Sequence, residues 1–361
     1  MDWRIFKETP AKAEKAYVPY LDYLRVMATI AVVMIHVSAQ NWGNVPVMSS
    51  EWIIFNIYNR AAQWAVPMFL MISGALMLDP GRPMPVKKLY RVNILRILAA
   101  FFFWSALYAL DAYWVDRDWR GAVVLFIGGN YHMWFLFMIL GFYLLTPAYR
   151  KIVESAEILA YFLIVMFTVT LLLPSVSSFL QYINLPHTAT VLPPLITDLS
   201  LTRMGFLPAY TFYYFLGSYL AQWDVGKRGR RISYLLGIAA YFFTLLVSFY
   251  HEAKTGEDSV PLDFGMMEAM MCMALFLFAK YDLPAAHSGH YKGVKALSVC
   301  SFGVYLSHVF VITKLRDWAN INTLTFLPVL SIPILVITVF LIAFLISWTL
   351  HQIPVLKKYV V

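Results

Sequence analysis

The sequence predicts an all-α fold, a polytopic integral membrane protein of about ten transmembrane helices with both termini in the cytoplasm. Composition is the first reason: of 361 residues 61% are hydrophobic and only 13% charged, against roughly 25% charged in a soluble globular chain. The second is that long apolar runs recur along the whole chain, and about 20 such residues cross a hydrocarbon core of about 30 Å. The third is the placement of the cations, which cluster between the runs and favour alternate connections.

The runs fall at 20–40, 53–78, 88–110, 130–148, 157–173, 207–222, 232–250, 265–280, 297–315 and 326–350. The first is too long for the 7 to 15 apolar residues of a signal peptide, so it reads as an uncleaved anchor even though Val37-Ser38-Ala39 resembles a cleavage site. The second holds Pro67 and Ser73-Gly74 and reads as a kinked helix whose small residues permit close helix approach. Lys87 and Lys88 begin the third, and Tyr131-His132-Met133-Trp134-Phe135 opens the fourth. After the fifth comes the longest loop, Pro174 to Gly205, rich in Pro, Ser and Thr, which suits either a lid or acceptor-binding element or an ordered outer cap. The sixth and seventh flank Lys227, Arg228, Arg230 and Arg231; Glu268 lies near the start of the eighth, His308 sits within the ninth, and the tenth leads to the C-terminus. The chain therefore divides into a cytoplasmic segment over 1–19, one membrane domain over 20–350 and a cytoplasmic tail over 351–361, with no internal duplication.

With the N-terminus inside, the connections on that side hold 19 Lys and Arg residues and the opposite side 6, which orients the chain by the positive-inside rule. A net charge of +8 would suit nucleic acid only as a basic stripe on a soluble fold, and no such stripe exists here. Cys272 and Cys300 lie in or beside apolar segments without metal-like spacing, so neither a disulfide framework nor a zinc site is expected.

Ionisable residues inside spans are costly and mark function by default. Arg25 and His36 share the first span; eleven steps of 100° return to within about 20° of three full turns, so both side chains lie on one helix face, roughly 16 Å apart along the axis. Asp22 can pair with Arg25 on that face. The bland reading is that Arg25 snorkels to the headgroups and His36 bonds a neighbouring helix. His132, Glu268 and His308 add three more polar groups, His132 and Glu268 at a depth that His36 can share. On the inner side Arg25, Lys87, Lys88, Arg91 and Arg96 lie near one depth. Such a cluster suits a polyanionic ligand, since arginine presents a planar fork to phosphate, or else anchors the protein to anionic lipid.

These motifs resemble acyltransferase family 3, the polytopic membrane O-acyltransferases, over nearly the whole chain. The most specific element is Arg25 followed after ten residues by His36; support comes from Val66-Pro67-Met68-Phe69 through Ser73-Gly74, from His132-x-Trp134-Phe135, and from Ser301-x-Gly303-x-Tyr305-Leu306-x-His308. Order and spacing are closest to the branch of the enterobacterial common antigen O-acetyltransferase, with Val26 standing where the family commonly has Gly. The resemblance implies an O-acetyltransferase of the plasma or inner membrane that takes acetyl from acetyl-coenzyme A, without a metal, to a hydroxyl of an envelope glycan or lipid-linked saccharide. On this reading Arg25, Lys87, Lys88, Arg91 and Arg96 hold the donor phosphates and the pantetheine arm follows the first helix to His36. His36 is then general base or transient acyl carrier, with Glu268 or His132 orienting its ring and His308 in the same catalytic set. Membrane lipid and the glycan are the expected partners, and nucleic acid is not. A transporter or flippase for an anionic or lipid-linked solute is the alternative, and a sensor or structural module a third.

Overall fold

The structure is a computed structural model that describes residues 18–183, 206–256, 264–283 and 291–361. The expected N-terminal segment over 1–19 lies outside the described residues except for its last two. Helices make up these residues, with no strand among them. In chain order they are α1 (Pro19–Ala39), α2 (Ser50–Ala62), α3 (Ala65–Met77), α4 (Val86–Asp116), α5 (Trp119–Gly128), α6 (Trp134–Ile152), α7 (156–183), α8 (Phe206–Gln222), α9 (Lys227–Thr255), α10 (Gly265–Tyr281), α11 (Tyr291–Ala319), α12 (Pro328–Leu350) and α13 (Pro354–Tyr359). Among the described residues seven segments are long and apolar enough to cross a membrane: α1, α4, the run from α5 through α6, α7, α9, α11 and α12.

Local chemistry places several helix ends. Pro19, Pro328 and Pro354 each start a helix, where a missing N–H costs nothing. Ser49 caps α2 by accepting from Trp52 N, and Asp118 caps α5 by accepting from Arg120 N and Gly121 N. The stretch expected as one kinked span over 53–78 is instead two helices, α2 and α3, parted at Gln63 and Trp64. Pro67 accounts for the break: in a continuous helix its N–H would serve Gln63 O, and its ring crowds that same carbonyl. The loop expected from Pro174 is also shorter than it reads, because α7 continues through residue 183. A π-helical turn over Phe167–Leu172 precedes Pro174 and changes the hydrogen-bond register where the proline could not donate. The rest of that loop, 184–205, lies outside the described residues. Sequence periodicity also missed α5, a ten-residue helix with no buried residue that folds back along α4.

Helix α1 is the central post, touching α2, α3, α10, α11 and α12. Two apolar cores meet across it: Leu21, Leu24, Ala28 and Val32 belong to one, Val26, Val33 and Val37 to the other. Packing on both faces buries most of α1 in protein. By contrast α12 exposes Ile334, Ile337, Leu341, Leu345 and Trp348, a stripe at helical spacing suited to hydrocarbon. Among the described residues α3 and α8 cross most closely at glycine: a Cβ on Gly74 would stand 1.7 Å from Tyr214 O and one on Gly217 would stand 2.0 Å from Met71 O. Only glycine allows the two backbones to approach so closely. The segment expected as a tail over 351–361 is docked: α13 packs on α4, and Val360 and Val361 are buried.

Candidate active site

Arg25 is nearly two turns inside α1, and its guanidinium is held from two sides. Nη1 donates to Asp22 Oδ1 at 3.1 Å and to Ser298 Oγ of α11 at 2.9 Å. Ser298 in turn donates to Asp22 Oδ1 at 2.6 Å, and Tyr291 donates to Asp22 Oδ2 at 2.8 Å. The carboxylate therefore fixes the cation while leaving much of the guanidinium open. Arg25 and Arg96 line one cavity of about 420 Å³, together with Ser73, Asn93, Tyr143 and Ser298. Arg96 donates to Val361 O and lies over the Phe302 ring, but its Nε is buried with no partner. An orphaned guanidinium N–H is costly unless something binds it, so the donor set fits an anionic ligand. Lys87, Lys88 and Arg91 are exposed and do not line this cavity.

The far end of the cavity is formed by Phe69, Phe135 and Tyr305. Behind Tyr305 stands a cluster of three histidines from three separate elements. His36 comes from α1, His132 from a 3₁₀ turn at Tyr131–Met133 before α6, and His308 from α11. Ring centroids lie 5.0 Å apart for His36 and His308, 5.2 Å for His132 and His308, and 6.3 Å for His36 and His132. Tyr305 covers the cluster with its ring 5.6 Å from His132 and 5.9 Å from His308, and its hydroxyl donates to His132 O. The expected run from Arg25 to His36 along α1 is therefore interrupted: the cavity reaches Tyr305, and His36 lies beyond it.

Hydrogen bonds define how two imidazoles are presented. A carbonyl can only accept, so His308 Nδ1 carries a proton and donates it to Tyr305 O at 2.6 Å. His132 Nδ1 likewise faces Asn130 Oδ1 at 3.2 Å. Both Nε2 atoms are buried and have no partner. His36 Nδ1 lies 3.3 Å from the hydroxyl of Tyr131, a largely exposed residue. The group that touches the His36 ring nitrogen is thus Tyr131, while Glu268 stands in the first turn of α10, one turn before Cys272.

An arginine-lined cavity and, behind Tyr305, three converging imidazoles combine groups that can bind an anion with groups that can exchange protons. Comparison with known proteins agrees, because the family described as the acyltransferase domain matches residues 18–348. The chain belongs to acyltransferase family 3. No curated protein and no solved structure matches it. As a multi-pass membrane acyltransferase, it places the Arg25 and His36 pair of α1 against one partner helix, α11, through Ser298 and His308.

Sequence reasoning missed the groups that hold the His36 end of α1. Asn59 of α2 donates to Ile35 O at 3.2 Å and to Ser38 Oγ at 3.1 Å, bracketing His36. Gln63 donates to Asn59 Oδ1, Arg60 donates to Gln63 Oε1 and Asn56 Oδ1, and Asn56 reaches Ser248 and the buried Glu252 of α9. The recurrence of Asn56, Asn59, Arg60 and Gln63 at three- and four-residue spacing was the available signal.

Proposed function

We propose that this acyltransferase moves an acetyl group from cytoplasmic acetyl-coenzyme A to a hydroxyl of a cell-envelope glycan or lipid-linked saccharide. One observation carries the reading: two arginines line a cavity whose far wall, Tyr305, packs on His132 and His308. The Arg25 and Arg96 guanidiniums bind the donor phosphates, and the aromatic end of the cavity takes the thioester. Tyr305 swings aside to admit it to the histidines. With the His36 proton on Nδ1 and donated to the Tyr131 oxygen, Nε2 is the general base. It takes the proton of the acceptor hydroxyl as that oxygen attacks the thioester carbonyl; the C–S bond then breaks, and the imidazolium returns the proton to the leaving thiolate. Such base catalysis contributes roughly 10² to 10⁴-fold. His132 and His308 accept hydrogen bonds at Nε2 from the acceptor.

The exposed face of Tyr131 supports acceptor entry from the side opposite the donor. Both termini lie in the cytoplasm on this reading, with the cation-rich connections on the same side and the chain in the plasma or inner membrane. Ten spans result if α8, α10 and the α2–α3 pair cross along with the seven longer segments. On this reading the chain falls in the branch of the enterobacterial common antigen O-acetyltransferase, by the order and spacing of its motifs. The decisive experiment supplies labelled acetyl-coenzyme A to proteoliposomes containing defined envelope glycans and identifies the labelled product by mass spectrometry. Acceptor movement without covalent change would overturn the enzyme reading.

A further inference from the structure

Tyr108 of α4 is buried, and its hydroxyl makes two hydrogen bonds to the main chain of α11. It donates to Leu306 O at 2.9 Å and accepts from Phe310 N at 3.1 Å. In an α-helix the carbonyl of residue 306 and the N–H of residue 310 are ladder partners of each other. One phenol therefore bonds both polar groups of a single turn, and the residue at the middle of that turn is His308. A side chain that shares the ladder groups of a turn fixes the local geometry of that turn, and His308 leaves α11 from it. The Tyr108 ring also meets His132 edge-on at 5.6 Å. One side chain thus touches both segments that supply His132 and His308.

We propose that Tyr108 is a positioning residue for acyl transfer: its hydroxyl sets the α11 turn that keeps His308 against His36 and His132, while its ring braces His132. The proposal rests on the histidine cluster carrying the reaction. Tyr108→Phe keeps the ring and removes only the hydroxyl. The turn then loses both bonds that tie it to α4, and His308 loses the contact that holds its turn in place.

The test measures label transfer in proteoliposomes for the wild type, Tyr108→Phe, His308→Gln and the double variant, with thermal melts of each. Displacement of a reacting group by about 1 Å costs up to 10²-fold, so Tyr108→Phe is expected to lower kcat by roughly 10- to 100-fold with the KM for acetyl-coenzyme A within about twofold. A residue that acts through His308 loses its effect once His308 is gone, so the double variant should be no slower than His308→Gln. Wild-type kcat in Tyr108→Phe overturns the proposal. So does a double variant slowed again by the full Tyr108→Phe factor, with melting lowered in both backgrounds, since that marks a purely structural role. Wild-type turnover in His308→Gln removes His308 from the reaction, whereas a slow His308→Gln beside a normal Tyr108→Phe removes only the role of Tyr108.

Discussion

The imidazoles of His36 and His308 lie 5.0 Å apart between ring centroids, on the same two helices that are joined below by the 2.9 Å bond from Arg25 to Ser298. The step from Arg25 to His36 is about 16 Å along α1, and that from Ser298 to His308 about 15 Å along α11. Equal strides on two parallel helices lock both ends of the site together. The distance from Arg25 to the histidine pair is therefore a property of helix geometry, and it does not depend on a loop.

His36→Ala should lower transfer by roughly 10² to 10⁴-fold and leave acetyl-coenzyme A affinity within about twofold. Label transfer and calorimetric binding on the same preparation separate these effects. Turnover that survives the substitution rejects His36 as the base.

Arg25→Gln and Arg96→Gln should each weaken donor binding by about 10- to 100-fold, since a charge-assisted hydrogen bond contributes about 1.5 to 3 kcal/mol. Lys87→Gln, Lys88→Gln and Arg91→Gln, whose side chains stand outside the cavity, should change it by less than about threefold, a loss typical of exposed, screened charges. Equal losses in both sets would mean that the donor binds at the exposed surface.

Tyr305 closes the cavity and donates to His132 O. Tyr305→Ala should join the cavity to the histidine cluster and let water reach the thioester. Release of free thiol from acetyl-coenzyme A without acceptor, followed colorimetrically, is expected to rise while glycan acetylation falls. An unchanged thiol signal together with normal transfer would show that Tyr305 is no barrier.

Gly74→Ala and Gly217→Ala should abolish the folded protein in size-exclusion profiles. The new Cβ atoms would stand 1.7 and 2.0 Å from main-chain atoms of the opposing helix, and a packed backbone yields far less readily than a flexible side chain. Gly43→Ala, with nothing within 4 Å, is the control expected to melt like the wild type.

Asn59→Leu removes both bonds that bracket His36 and leaves Ile35 O and Ser38 without that donor. A loss of about 1 to 3 kcal/mol is expected in thermal or denaturant unfolding, with a fall in kcat and little change in donor KM. A normal kcat would show that α1 holds His36 without help from α2.

Much of this was legible in the residues. The pairing of Asp22 with Arg25 and the shared face of Arg25 and His36 follow from helical spacing, and both side chains do meet α11. The break at Gln63 and Trp64 was less visible, because Pro67 signals a disturbance without saying whether the helix bends or parts. Tyr108 and Tyr131 carried no signal, since a lone tyrosine in an apolar run looks the same whether it packs or wedges. Glu268 attracted notice as an acid inside a span; it is half-buried in the first turn of α10, and the group on His36 Nδ1 is Tyr131.

Amino-acid order alone determined that the chain is helical and apolar enough for a membrane, and which charged groups lie inside it, because hydropathy and helical period are local properties. Only the tertiary structure decided that His36, His132 and His308 converge, that Tyr305 stands between them and the arginine cavity, and that Tyr108 bonds the α11 turn bearing His308. In a bundle where lipid-facing and helix-facing surfaces are equally apolar, composition does not say which helices adjoin. Their adjacency depends on close approaches such as Gly74 to Tyr214 and on buried polar bonds between residues distant in the chain.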